Sequence, residues 1–370
     1  LMWGITAGMF DSMTATHIEL DYGSLKVHRM GYRDDHVPAS GFTPDETAQA
    51  LDAIHALPGA HGAPRLLVQG LLRSSYGATG VEVRGVDPTL EPTVTRLGTV
   101  LIEGRYVNAT GEALLGGKAA RRLDVRVGER VVVLAQGMAG TKSLAFTVVG
   151  IYATGLASLD ERTIVVPITD AQALAGVNGA TEVAVGLPRG RSPDAAAVAL
   201  RERLGEPYEV LTFDQGNPLI SGIIRGNTGE MMVTMVLLAI LAGFGVANTV
   251  LFSVLERTRE FGVMLSLGLN PRRLAALVVA ESVLASALGF ALGSVGGYVL
   301  VRYLAHTGIP LGAMAEAGAE FGIPPRIYAA VHGWYWAASF VVVVATGAVA
   351  AWYPARRAAK LEPVEAIRQL

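Results

Sequence analysis

The sequence predicts an α-helical membrane protein with four transmembrane helices, the first one truncated, and a large α+β domain between helices 1 and 2. Three observations predict it. The 370 residues are 51% hydrophobic and only 17% charged, with a mean hydropathy of +0.41. That is too apolar for an ordinary soluble chain and too polar for one wholly in lipid, so the hydrophobicity must be concentrated. It is: Met231–Val254 carries no charge at all, and crossing a bilayer takes ~20 apolar residues. Third, arginines crowd the exits of the apolar runs. Arg257, Arg259, Arg272 and Arg273 flank one end, and Arg356, Arg357, Lys360 and Arg368 another. Lysine and arginine excess marks the inner side of a membrane.

In chain order, residues 1–16 begin with ten apolar residues, too few to span. We expect them to be the outer end of a first transmembrane helix whose inner half precedes Leu1. Residues 17–226 form the α+β domain, with a subdomain at ~95–187 inserted into ~17–94 and ~188–226. His17–His28 reads as short β-like runs around Gly23. Pro44–Leu57 reads as a helix: proline comes early, Asp45 and Glu46 sit in the first turn, and Leu51, Ile54 and Leu57 recur at helical spacing. Valine-rich Val125–Ala135 and Leu144–Tyr152 read as strands joined by a flexible, outward-facing, glycine-rich tip, Gln136–Ser143. Thr169–Leu174 reads as a short helix capped by Thr169 or Asp170. Helix 2 follows at 227–255, then a short inner helix at 256–271, helix 3 at 272–302, an outer loop at 303–333, helix 4 at 334–353 and an inner tail at 354–370. Trp334, Tyr335, Trp336, Trp352 and Tyr353 sit where interfacial anchors belong.

The short inner helix cannot span. Phe261, Met264 and Leu265, at i, i+3 and i+4, share one apolar face, which we expect an inner partner to hold. In helix 3, Gly289, Gly293 and Gly297 lie at i, i+4 and i+8, a stripe that lets another helix approach closely. Glu281 lies near the inner interface, about two turns from Arg272 and Arg273, and is read as a structural pairing or an interfacial group. Met231, Met235, Leu238 and Phe244 are the residues of helix 2 offered for lipid or substrate contact.

Other chemistry is sparse. The chain has no cysteine and a net charge of -2, which removes disulfides and thiol catalysis from this chain and gives no bulk argument for nucleic acid. Seven histidines are scattered, with no metal-ligand spacing. Gly111–Lys118 (GEALLGGK) has Ala119 where a phosphate loop needs Ser or Thr; it reads as a turn before a helix. No catalytic residue and no nucleotide site is expected in this chain.

Several stretches together resemble one family. LERTREFGVMLSLGLNPRRL after an apolar span is similar to the coupling-helix signature of FtsX/MacB-type (type VII) ABC transporter permeases. The ending AAWYPARRAAKLEPVEAIRQL is similar to that family's last helix and tail. LPGAHGAPRLLVQGLL, VRGVDP, EGRYV, LLGGKAARRLDVRVGERV and FTVVGIY follow in the family's order through the outer domain, and look most like the lipoprotein-releasing permeases LolC and LolE. The tip at Gln136, Met138, Thr141 and Lys142 is shorter than the carrier-recruiting hook of LolC, and is kept as a candidate partner loop.

The resemblance implies a permease subunit in a bacterial inner membrane with a periplasmic MacB-like core domain. ATP and Mg would be bound by two copies of a separate LolD-like ATPase, which would push on Glu256, Arg257, Arg259, Glu260, Phe261, Met264, Leu265 and Gly268. A second permease subunit, an acylated lipoprotein substrate and a periplasmic carrier complete the implied partners. The alternatives are a mechanotransmission subunit for efflux or cell-wall hydrolase control, as in MacB or FtsX, and a membrane-anchored sensor or adhesion protein without ATP coupling.

Overall fold

The computed structural model describes residues 2–138, 140–312, 318, 323, 326–330 and 333–360. Glu316, Glu320, His332 and the tail beyond Lys360, with Arg368, lie outside the described residues. The chain divides into two compact units, each described by itself: 9–222 with 310–327, and 1–8 with 223–309 and 328–370.

The first unit is built on one ten-stranded mixed sheet. Its strands are β1 (Leu25–Arg29), β2 (His61–Arg73), β3 (Ala78–Val86), β4 (Leu101–Gly104), β5 (Glu112–Gly116), β6 (Arg130–Gly137), β7 (Gly140–Tyr152), β8 (Thr163–Pro167), β9 (Glu182–Gly186) and β10 (Tyr208–Thr212). The order is β10-β1-β9-β2-β3-β8-β5-β7-β4, with β6 pairing β2 and β7. β2 is the pivot. It pairs β9 along His61–Arg65 and β6 along Gly70–Arg73, on the edge opposite β3. The sheet therefore forks, and the unit has two main cores. One packs Leu25, Val27, Val183, Val185 and Val210 under helices α3 (Pro44–His55) and α8 (Pro193–Leu204). The other encloses Leu66, Val83, Leu115, Val133, Phe146, Ile164 and Leu174. This division differs from an insertion at ~95–187: β2 and β3 feed the second core and β9 the first, because one long strand can serve two neighbours.

Local signals explain most elements. Thr43 caps α3: its hydroxyl accepts from the Glu46 amide at 3.3 Å while the Glu46 carboxylate accepts from the Thr43 amide at 2.8 Å. Ser192 caps α8. β8 reads TIVVP and is buried throughout, as a strand covered on both faces should be. Two expectations are corrected. Before Gly23 the chain is helical: α1 (Met2–His17) passes into a π-helical turn, Ile18–Tyr22, and only Gly23, at φ 79°, releases it into β1. Tertiary bonds hold that turn, since the Asp21 carbonyl accepts from Arg65 at 2.7 Å and its carboxylate from Arg84 at 2.7 Å. Helix α7 (Ile168–Ala175) has no side-chain cap. Asp170 instead accepts from the Gly111 amide at 2.8 Å.

Between the Ile18–Tyr22 turn and the strands sits a buried ion cluster. Arg65 is 0% exposed; its Nε and Nη2 donate to Glu91 at 3.0 and 2.6 Å, and its Nη1 to Glu182 at 3.3 Å. Lys26 donates to Glu182 at 2.9 Å. Burial would raise the Glu182 carboxyl, but Lys26, Arg65 and their neighbours more than offset it and hold it far below the usual range. Burial also pushes the His28 imidazole down, against the pull of Glu182.

Among the described residues, the second unit contains three helices long and apolar enough to cross a membrane: α10 (Pro218–Glu256), α12 (Pro271–Thr307) and α13 (Gly333–Ala359). A short helix, α11 (Thr258–Ser266), separates the first two. α1 has 16 residues. From Met232 to Ser253 no residue of α10 is buried inside the chain; such a surface is stable only in lipid or under another protein. α12 and α13 pack through small residues. The Ser282 hydroxyl donates to the Gly347 carbonyl at 3.1 Å, and any Cβ on Gly347 would strike Ser286.

Candidate functional site

The stretch from Glu256 to Arg273 forms a helix–corner–helix. α10 ends at Glu256, Arg257 leaves helical geometry (φ -99°, ψ 15°), and α11 begins at Thr258. At its far end Gly268, at φ 93°, turns the chain. Its amide donates to Leu265 O at 3.1 Å and that of Leu269 to Met264 O at 3.0 Å, closing the helix as left-handed caps do. Asn270 then caps α12, its side chain accepting from the Arg272 amide at 2.9 Å.

The apolar face of α11 is not open to a partner, which corrects the expectation for Phe261, Met264 and Leu265. Phe261 is 2% exposed and packs in a core with Val254, Leu274, Val278, Ala355 and Ala358, with Met264 and Leu265 against it. The reason is local supply: the ends of α10, α12 and α13 already present apolar partners. The exposed face carries Arg259, Glu260, Val263, Ser266 and Leu267, which recur at i, i+1, i+4, i+7 and i+8 and so share one stripe. Leu267 is 83% exposed. Glu256 and Gly268 are exposed beside it.

Arg257 staples the corner. Its Nε donates to Glu260 at 2.9 Å, its Nη1 to both oxygens of Glu281 at 3.2 Å, and its guanidinium lies 5.2 Å from the Phe261 ring centroid. Glu281 is thus paired, but with Arg257 rather than with Arg272 or Arg273. More than two helix turns earlier on α12, those two arginines lie exposed. Sequence spacing along α12 could not show this bond because its partner is 24 positions away.

Two apolar grooves run between the long helices. One, of ≈ 950 Å³, is lined by Met235 and Leu238 of α10, by Ser282 and Gly289 of α12, and by Val343 and Thr346 of α13. The second, of ≈ 510 Å³, takes Met235 and Phe244. Met231 is buried at 8% exposure and lines neither, so of the four residues offered for lipid contact it alone is withdrawn.

The glycine stripe also differs from expectation. A Cβ on Gly289 or Gly293 would meet nothing within 4 Å, and one on Gly297 would only touch Trp336 at 3.8 Å. Within this chain the stripe lines groove rather than helix contact; the close approach is made by Gly347 instead. Gly289→Phe is therefore expected to fold and insert normally, since its side chain enters open space, while occupying the groove. If the groove carries substrate, transport should fall at least about tenfold, about 1.4 kcal/mol of lost binding, with unchanged expression; unchanged transport would remove the groove from function.

The tip between β6 and β7 is pinned, not flexible. The strands pair up to Gly137 opposite Gly140. The Met138 amide donates to Ala175 O at 2.9 Å, and the Lys142 ammonium donates to Ala173 O at 3.0 Å, satisfying carbonyls at the end of α7. The Thr141 hydroxyl donates to Gln136 at 2.9 Å. Among the described residues of the tip, Met138, 64% exposed, offers apolar surface. Gly111–Lys118 is strand β5 followed by the six-residue helix α5 (Gly117–Arg122), and Lys118 is held by Glu161 at 2.9 Å. Among the described residues no group of three or more His, Asp and Glu side chains is placed to hold a metal.

Comparison with known proteins agrees in extent with these two units. Residues 1–203 match the family described as "MacB-like periplasmic core domain", and residues 232–363 the one described as "FtsX-like permease C-terminal". The lipoprotein-releasing system transmembrane protein LolC of Xylella fastidiosa (strain Temecula1) is 26% identical over 84% of this chain and 78% of its own. An uncharacterized ABC transporter permease of Methanocaldococcus jannaschii is 26% identical over 72% of this chain and 65% of its own. The macrolide export ATP-binding/permease protein MacB of Shigella boydii serotype 4 is 31% identical over 39% of this chain and 20% of its own.

Proposed function

The chain belongs to the FtsX/MacB-type ABC transporter permeases, and from that premise we propose that it releases lipoproteins from the inner membrane toward a periplasmic carrier, driven by a partner ATPase. Four transmembrane helices would hold it in that membrane, α1 belonging to the first, with the MacB-like domain on the outer side. Two copies of an ATPase binding ATP and Mg would work with this permease and a second one.

The observation that carries the reading is the ≈ 950 Å³ apolar groove between α10, α12 and α13. Acyl chains gain ~0.8 kcal/mol per buried CH₂, and a groove lined by Met235 and Leu238 offers them that burial. The likeness to LolC over 84% of the chain supports the same substrate class. Depletion of the protein tests it: acylated proteins should accumulate in the inner membrane. Normal placement of every lipoprotein after depletion would sink the reading. A second reading, mechanical efflux or wall-hydrolase control, is favoured by the pinned tip at Gln136–Lys142, which presents no projecting hook for a carrier.

The ATPase would meet the exposed stripe of α11, because its apolar face is taken. Leu267→Asp is expected to release a co-purifying ATPase while leaving the protein folded, since Leu267 packs against nothing that it would disturb. Retention of the ATPase by this variant would place the docking surface elsewhere.

A further inference from the structure

The α/β unit has a polar cleft of ≈ 670 Å³ that the transport reading does not use. It opens beside β3, and strand pairing explains why. β3 pairs β2 over its whole length, Ala78–Val86, but β8 accompanies it only from Glu82 to Val86. Among the described residues, Ala78–Val81 therefore has an unpaired edge. Successive residues of a strand aim their N–H and C=O to alternate sides, so two of these four turn theirs away from β2. The opposite wall is the end of helix α6 (Ala157–Arg162), the start of β8, and Arg122 at the end of α5. That wall is firm: the buried Tyr152 hydroxyl shares its one proton between Thr163 O at 2.8 Å and Leu159 O at 3.0 Å.

Three acids, Asp21, Glu82 and Glu161, and three arginines, Arg84, Arg122 and Arg162, line the cleft, and they differ in how they are engaged. Each acid is already engaged: Asp21 and Glu82 by Arg84 at 2.7 and 3.2 Å, and Glu161 by Lys118 at 2.9 Å. Arg122 and Arg162 line the cleft, are exposed, and make no contact salt bridge among the described residues, acting on the Glu161 carboxylate only at longer range. Arg84, 6% exposed, also lines it, and its Nε is a buried donor without a hydrogen-bond partner. A buried donor left unmatched is costly and calls for an acceptor. The cleft thus combines a free strand edge, an unmatched buried donor and two cations without a contact salt bridge. Open edges normally invite pairing and are guarded against it. Here the walls shield a stretch of four residues, ~13 Å of strand, and admit one chain rather than a sheet.

We propose that this cleft takes an extended, acidic segment of another polypeptide, which adds as a strand beside Ala78–Val81 and sets its carboxylates against Arg122 and Arg162. Main-chain bonds to the β3 edge supply affinity and the arginines supply selectivity, the division of labour that strand addition uses.

The test uses the full chain in nanodiscs and a fluorescein-labelled hexapeptide of alternating valine and aspartate, read by anisotropy. Saturable binding is expected. It should weaken at least about tenfold, one charge-assisted hydrogen bond's worth, in Arg162→Gln and in Arg122→Gln, both exposed positions that leave the fold intact. N-methylation of the peptide at alternate residues, which removes edge donors, should weaken it as much, and an asparagine version should bind poorly. Absence of saturable binding, equal binding of the asparagine peptide, or indifference to N-methylation overturns the proposal. Displacement by inorganic phosphate without dependence on N-methylation assigns the cleft to a simple anion, and overturns it too.

Discussion

Arg65→Met is expected to lower the melting temperature of the α/β unit by roughly 6–20 °C, the shift that follows from about 3–5 kcal/mol in a unit of this size. Arg65 is wholly buried and makes four donations, two to Glu91, one to Glu182 and one to the Asp21 carbonyl. Methionine fills much of the space but makes none of them. Glu91 then keeps only the Thr95 hydroxyl, which donates at 2.7 Å, and its charge lies buried without a cation. The cost comes from the stranded partner, so Arg65→Met combined with Glu91→Leu should recover much of the loss. Arg65→Lys should not restore the wild type, because an ammonium cannot match the two-pronged contact. A melting temperature within about 2 °C of wild type for Arg65→Met would show that the cluster does not stabilise the fold.

The same cluster sets an acid limit. Glu182 and Asp21 are both held below their ordinary pKa values despite burial, by Lys26, Arg65 and Arg84. A carboxyl depressed in the folded state stabilises it above its unfolded pKa, about 4, and that contribution drains away as pH falls toward the folded value. Stability should therefore fall from about pH 4 downward, and the fall should be shallower in Arg65→Met, where the depression is smaller.

Phe261→Ala is the second large effect. Truncating a fully buried phenylalanine costs about 3–5 kcal/mol, and the residues left around the hole, Val254, Leu274, Val278, Ala355 and Ala358, come from three different helices. α11 should lose its seat and, on the proposed function, turnover by the partner ATPase should no longer respond to substrate, while unfolding of the α/β unit stays unchanged. Normal substrate stimulation in Phe261→Ala would show that α11 need not be seated to transmit force. Arg257→Glu should do less, because partly exposed ion pairs contribute about 0–1 kcal/mol. Exchanging the charges as Arg257→Glu with Glu281→Arg should restore most of what Arg257→Glu loses; failure to do so would remove the 3.2 Å pair as the staple.

Much of the plan could be read from composition and period. The long apolar runs and their arginine exits follow from residues close in sequence, whose physics is local; the capping box at Thr43 and the left-handed turn at Gly268 are equally local but were found only in the structure. The existence of a short amphipathic helix after Arg257 also follows from residues close in sequence. What it packs against does not follow. Phe261, Met264 and Leu265 show the same spacing whether their face meets this chain or another, and the structure turns it inward. The glycines at 289, 293 and 297 show the same limit: small residues permit close approach, but only a neighbour makes it happen, and the neighbour came at Gly347.

The remaining features depend on pairs far apart along the chain. Arg257 with Glu281, Arg65 with Glu91 and Glu182, Asp21 with Arg84, and Lys142 with the end of α7 each join segments whose spacing carries no signal. Their partners are chosen by where strands and helices come to lie. The apolar pattern established which segments leave water, because transfer free energy is a property of each residue. Packing then assigned which face meets which, because burying a charge or a backbone group requires a particular partner at a particular place.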